Sequence, residues 1–95
     1  MKLKDILYKV AIEEIKGSTD LEIAALSFDS RKVTAGTLFI ATVGTQSDGH
    51  AFMDMAIEKG ATAIVCEHFP ATLNPAIAYV RVKDTSIALG YLAAN

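Results

Sequence analysis

The chain has one cysteine, two prolines and no tryptophan, and aromatic residues make up only 7% of its 95 positions. The lone Cys66 excludes an intrachain disulfide framework and suits a reducing compartment. An excess of one charge is also missing, because nine basic residues face eleven acidic ones for a formal net charge of −2. A polyanion or an anionic membrane would meet no overall basic field, so any bound phosphate must be held locally by backbone N–H groups, hydroxyls and one or two cations. No apolar run approaches the roughly 18–20 residues that span a bilayer. The opening Met1-Lys2-Leu3-Lys4-Asp5 lacks the apolar core and the small-residue cleavage site of a signal peptide. These absences predict a soluble, cytoplasmic protein.

What is present is an apolar fraction of 52% with 21% charged residues, ordinary for a single globular domain. Leu3, Ile6, Leu7 and Val10 recur at helical spacing and predict a short amphipathic first helix. Gly17-Ser18-Thr19-Asp20 is a turn cluster, and Glu22 to Asp29 alternates with the period of a strand. Leu38-Phe39-Ile40-Ala41 and Ala63-Ile64-Val65-Cys66 are continuous apolar runs, as expected of strands covered on both faces. Between them Phe52, Met53, Ala56 and Ile57 make one face of a helix that begins near Asp48 or His50 and stops at Gly60. Ile77 to Val82 reads as a further strand, and Asp84-Thr85-Ser86 caps a last helix starting near Ile87. That helix is apolar nearly all round and meets the chain end without a stop signal, which predicts a longer natural sequence. The alternation of buried strands with helices predicts an α/β domain of three layers, a mixed, mostly parallel sheet with helices on both faces.

Two loops carry the residues suited to chemistry. Asp29-Ser30-Arg31 follows one strand; Gly44-Thr45-Gln46-Ser47-Asp48-Gly49-His50 leaves another and enters the helix. Ligands of open α/β sheets settle at the carboxyl ends of strands, where helix N-termini offer free N–H groups to anions. Two glycines and the side chains of Thr45, Gln46 and Ser47 suit a phosphate or nucleotide cradle, although no Gly-Lys-Thr/Ser follows as in a Walker loop. The same segment also fits an unliganded connection. Arg31 with Lys32 suits a phosphate, and Arg31 equally suits Asp29 as an ion-pair partner. Asp29, Ser30 and His50 have the residue types of a hydrolytic triad but lack a nucleophile elbow, and Cys66-x-His68 supplies at most half of a zinc ligand set. Packing is the simpler reading for Cys66, Met53 and Met55.

The ordered series Phe28-Asp29-Ser30-Arg31-Lys32-Val33-x-x-Gly36-x-Leu38-Phe39-Ile40-Ala41, Gly44-x-x-x-Asp48-Gly49-His50-x-Phe52 and Ala56-x-x-x-Gly60-Ala61-x-Ala63-Ile64-Val65 resembles the opening of the muramyl ligases. It is most similar to the branch that adds the third residue of the peptidoglycan stem peptide. The branch that adds the D-alanyl-D-alanine dipeptide is the alternative, as is a free-standing nucleotide-sensing module of similar fold. The resemblance implies that residues 1–95 are the N-terminal, UDP-substrate-binding domain of an ATP-dependent, ADP-forming acid–amino-acid ligase. In that enzyme, ATP and Mg2+ act in a central domain absent from this chain, and a C-terminal domain receives meso-diaminopimelate or L-lysine. The amine attacks an acyl phosphate formed on UDP-N-acetylmuramoyl-dipeptide. Carried over by position, Phe28, Ser30, Thr45, Gln46 and Ser47 are the substrate-binding residues. The match is looser at Thr45 and Ser47, where the family often has histidine and alanine. No catalytic residue, metal ligand or cofactor contact is expected within this chain, nor any nucleic-acid or membrane partner, and the fragment alone is expected to be inactive.

Overall fold

A computed structural model describes residues 1–43 and 48–94. In chain order its elements are α1 (Leu3–Ile6), β1 (Ile12–Lys16), β2 (Ala25–Ser27), β3 (Thr37–Ile40), α2 (Met53–Glu58), β4 (Ala63–Cys66), β5 (Ala78–Val82) and α3 (Thr85–Ala94), with 3-10 turns at Ser30–Lys32 and Gly49–Phe52. The five strands form one sheet in the order β1-β5-β4-β3-β2. Strands β2, β3, β4 and β5 pair in parallel, and β1 joins β5 antiparallel. Every residue of β3 and β4 is buried, as the apolar runs that begin at Leu38 and Ala63 require.

The pleat sends alternate residues to opposite faces. Leu38, Ile40, Val65, Val80 and Val82 pack with Leu3 and Ile6 of α1 and with Ala88 and Leu92 of α3. Phe39, Ile64, Cys66 and Tyr79 pack instead with Met53 and Ala56 of α2. Helices therefore cover both faces, and the expected mixed, mostly parallel three-layer architecture is the observed one.

Helix α2 ends where Gly60 takes a φ of +116°, the left-handed geometry expected after Lys59. A Cβ there would also lie 2.7 Å from the Ala35 Cα, so glycine serves conformation and close approach together. Helix α3 begins at Thr85, two residues before the expected Ile87, because Asp84 Oδ1 accepts from the amides of Ser86 at 2.9 Å and Ile87 at 3.2 Å.

Three elements differ from the sequence expectation. The strand read over Glu22–Asp29 is only Ala25–Ser27, a short edge pairing with β3 alone. The first helix is a single turn, although Leu7 and Val10 stay in the core just beyond it. Strand β1 carries no clear alternation and is not expected from the pattern. Its register against β5 shifts between Ile12 and Glu14, which spoils the period-2 signal, and its acids pair across the sheet with Arg81.

Candidate functional site

Because β2 to β5 run parallel, the segments that leave them share one edge of the sheet. A cleft of about 450 Å³ opens there. Phe28, Asp29, Ser30 and Arg31 form its first wall, and Thr42 and Gly49 belong to the second. Phe39, Phe52 and Met55 close the space between them.

The first wall is locked from within. Ser27 Oγ donates to the Asp29 carbonyl at 2.9 Å and accepts from the Asp29 amide at 3.1 Å. Asp29 caps the 3-10 turn by accepting from the Arg31 amide at 3.0 Å, and its carboxylate takes the Arg31 guanidinium at 3.1 and 3.0 Å. That guanidinium, then the Arg31 amide, holds the Asp29 carboxyl down at about 2. Of the two readings left open for Arg31, the structure takes the ion pair, so the wall presents a neutralised pair and not a free cation. Ser30 is only 7% exposed, and its hydroxyl donates to Met55 Sδ at 3.6 Å. A thioether is a weak acceptor, so a better one in the cleft can displace it.

Phe28 is 62% exposed, Phe52 40% and Met55 41%. The sequence reading put Phe52 on the packed face of a helix and gave Met55 a packing role, and both instead line the cleft. Phe52 precedes the first residue of α2, and Met55 lies on the opposite side of the helix from buried Met53 and Ala56. Cys66 is a core residue as expected, and burial pushes its thiol up to about 11.

Thr45, Gln46 and Ser47 lie outside the described residues, but the flanks of their loop are clear. Val43 and Asp48 form an isolated antiparallel bridge, and the Gly49 amide donates to the Thr42 carbonyl at 2.7 Å. A Cβ on Gly49 would come within 2.8 Å of the Thr42 nitrogen, so the backbone approach needs glycine. Asp48 accepts from the His50 amide at 2.9 Å and from its ring Nδ1 at 2.6 Å, and these bonds, the amide first, lower its pKa. His50 Nε2 accepts the Glu67 amide at 2.9 Å. Glu67 Oε2 in turn accepts from the Thr85 amide and hydroxyl, both at 2.9 Å, while Thr85 Oγ1 accepts the Val43 amide at 3.3 Å. Neither Glu67 nor Thr85 stands out in the sequence beyond an acid closing a buried run and a threonine beside a helix cap.

The triad residue types do not assemble: Ser30 bonds Met55, and His50 bonds Asp48 and Glu67. Asp48, His50 and His68 bring potential metal-ligand atoms within 4.8 Å of one another. Both His50 nitrogens are already hydrogen-bonded, and the two imidazoles stack at 4.0 Å with planes 12° apart. Lone pairs lie in the ring planes, so two nearly parallel stacked rings aim poorly at an ion between them. The sequence also contains no Gly-Lys-Thr/Ser, the phosphate-cradling loop of many ATP sites.

A mostly parallel α/β sheet with a strand-end cleft between a short polar turn and a glycine-bearing loop is the arrangement in which open α/β domains take their ligands. The chain belongs to the Mur ligase family, whose catalytic-domain description matches residues 22–95. It is 47% identical, over 100% of its length, to the UDP-N-acetylmuramoyl-L-alanyl-D-glutamate–2,6-diaminopimelate ligase of Cytophaga hutchinsonii, covering 20% of that protein. The ligase of the same name from Bacteroides fragilis is 48% identical over 98% of this chain and 19% of its own. A crystal structure of MurF from Acinetobacter baumannii superimposes with a TM-score of 0.70 at 28% identity, covering 97% of this chain and 19% of that one. The MurF ligase of Thermotoga maritima, solved in complex with ADP, gives a TM-score of 0.64 at 30% identity over 80% of this chain and 17% of its own. The chain thus spans about a fifth of the length of the curated relatives it matches. No helix among the described residues is long and apolar enough to cross a membrane.

Proposed function

We propose that this chain is the substrate-binding N-terminal domain of a MurE-type ligase, UDP-N-acetylmuramoyl-tripeptide synthetase, and that its cleft holds the uridine diphosphate end of UDP-N-acetylmuramoyl-L-alanyl-D-glutamate. The observation that carries this reading is the cleft itself, which brings the Phe28–Arg31 turn against Thr42 and Gly49 at the base of the second loop. Phe28 offers an exposed apolar edge for the base, Ser30 a hydroxyl held by a weak partner, and residues 45–47 the remaining donors. With Arg31 neutralised by Asp29, the diphosphate is held by hydroxyls and backbone amides more than by charge. ATP-dependent formation of the amide bond, with Mg2+, belongs to parts of the protein beyond these residues, and this chain by itself releases no phosphate. A cytoplasmic location follows from this reading.

Identity favours this branch over its neighbour, since the diaminopimelate ligases reach 47% and 48% whereas the MurF structures stand at 28% to 32%. The shared name of those relatives also favours diaminopimelate over lysine as the third residue.

The test is an NMR titration of the chain with uridine diphosphate. A few hydrogen bonds set against the loss of rigid-body freedom give an affinity of about millimolar. Amides of Phe28, Ser30 and residues 45–49 should move first, and Ser30→Ala should weaken those shifts while Cys66→Ala preserves their pattern. Shifts clustered around Cys66 and His68, or none in the two loops at high concentration, would falsify the assignment.

A further inference from the structure

We propose that Met55 is a reversible oxidation site: a peroxide turns its thioether into a sulfoxide, and the sulfoxide withdraws the Ser30 hydroxyl from the cleft. The inference rests on the reading of Ser30 as a uridine diphosphate contact and adds a redox control to it.

The fold treats the chain's three methionines and one cysteine differently. Met53 packs in the core. Cys66 is buried with its thiol pushed up to about 11, which leaves almost none of it as the reactive thiolate. Met1 is exposed, but it lies beside Glu22 and Ile23 ahead of β2, while the cleft opens after that strand. Met55 alone of the four is both exposed and part of the cleft lining. Among the described residues its sulfur has one hydrogen-bond partner, the Ser30 hydroxyl at 3.6 Å. That bond uses one lone pair of the thioether and leaves the other for an electrophilic oxygen.

In the proposed step this lone pair attacks the terminal oxygen of a hydroperoxide. The S–O bond forms as the O–O bond breaks, and the proton of the attacked oxygen moves to the leaving one, giving water when the oxidant is hydrogen peroxide. Sulfur gives up two electrons and the peroxide takes them. A weak acceptor has become a strong one. The new oxygen stands one bond out from a sulfur that Ser30 already addresses, so the hydroxyl transfers its hydrogen bond to it without leaving its place. A ligand oxygen that displaces the thioether readily must then compete with an acceptor of its own kind. Methionine sulfoxide reductases, one for each epimer, restore the thioether and with it the free choice of partner for Ser30.

Hydrogen peroxide treatment followed by peptide mass mapping reads the site. Oxygen should appear at Met1 and Met55 while Met53 and Cys66 stay unmodified. In NMR spectra of the oxidised, unligated chain the fold should be retained and the Ser30 signals displaced, and the two reductases together should return them. In titrations with uridine diphosphate followed at the Phe28 and Ser30 amides, oxidation should weaken binding about fivefold, as the loss of one hydrogen bond would. Two variants, each compared with its own untreated form, assign the cause. Met55→Leu has a similar volume and no sulfur, so peroxide should leave its affinity where it was. Ser30→Ala has no hydroxyl to withdraw, so oxidation of its Met55 should change affinity by less than about twofold.

A Met55 that stays reduced while Met1 is converted overturns the proposal, as does an oxidised chain that unfolds or binds like the reduced one. A full loss on oxidation in Ser30→Ala means that the sulfoxide acts by bulk or polarity, and one in Met55→Leu that another residue is responsible; either overturns it. If the reduced wild type shows no response at Phe28 or Ser30, the uridine diphosphate reading falls and the control falls with it. The mapping and the unligated spectra need no ligand, and they tell that failure apart from a failure of the oxidation step.

Discussion

On one wall of the cleft Ser27, Asp29 and Arg31 bond to one another across separations of two residues. On the other, His50 and Val43 depend on Glu67 and Thr85, at separations of 17 and 42 residues. The first wall is a property of five consecutive residues, touched from outside by Met55 and by Lys59, whose amine reaches the Arg31 carbonyl at 3.4 Å. The second is a property of the finished fold, because its closing contacts exist only once β4 and α3 have docked. A site built this way has one edge that survives local loosening and one that reports on it.

The largest expected effect that tests this contrast comes from Gly49→Ala. Its methyl would meet the Thr42 backbone, and overpacking against backbone destabilises by about 1–3 kcal/mol. Urea denaturation should register that loss, and the amides of residues 42–50 should shift while those of Ser27–Arg31 hold still. Comparable shifts on both walls would show that they are not independent. Thr85→Val comes next. It strips a donor from Glu67 and the acceptor from the Val43 amide, a loss of about 1–2 kcal/mol. The same denaturation measurement should find it, with Thr85→Ser close to wild type.

The smallest effect is expected on the first wall. The folded Asp29 carboxyl sits at about 2 against an ordinary 3.8, so its pairing favours the fold above the ordinary value and is lost as pH falls toward 2. The pair is exposed, and salt screens it, so its share of stability is small. Arg31→Ala should return the Asp29 carboxyl toward 3.8 in an NMR titration and leave the Asp48 midpoint where it was. Joint movement of the two carboxyls would break the comparison.

The same contrast explains what the sequence disclosed. Strands β3 and β4, the stop at Gly60 and the cap at Asp84 announce themselves over windows of a few residues, because burial on both faces and turn geometry act locally. The placement of Phe28 and Ser30 at a strand end, where they line the cleft, was legible for that reason too. Strand β1 was not, since its irregular register and its acids satisfied by Arg81 erase the alternation a lone strand would show. Phe52 and Met55 look like core because apolar residues near a helix usually are, and only the tertiary cleft gives them another role. The hydrogen bonds that join His50 to Glu67 and Thr85 to Val43 were invisible, because nothing near Glu67 or Thr85 in the chain says which distant residues they meet.

The pairing of β1 with β5 has a consequence for how the molecule comes to exist. Ile12 lies opposite Val82, so the first strand made is completed by the last. Such a long-range closure makes folding slow for a domain of this size, since the loop entropy must be overcome before the contact contributes. On the ribosome, β1 must wait without its partner until β5 has emerged. Its adjacent acids, Glu13 and Glu14, then act as a kinetic safeguard: they make a poor template for a wrong strand and a good one for the strand carrying Arg81.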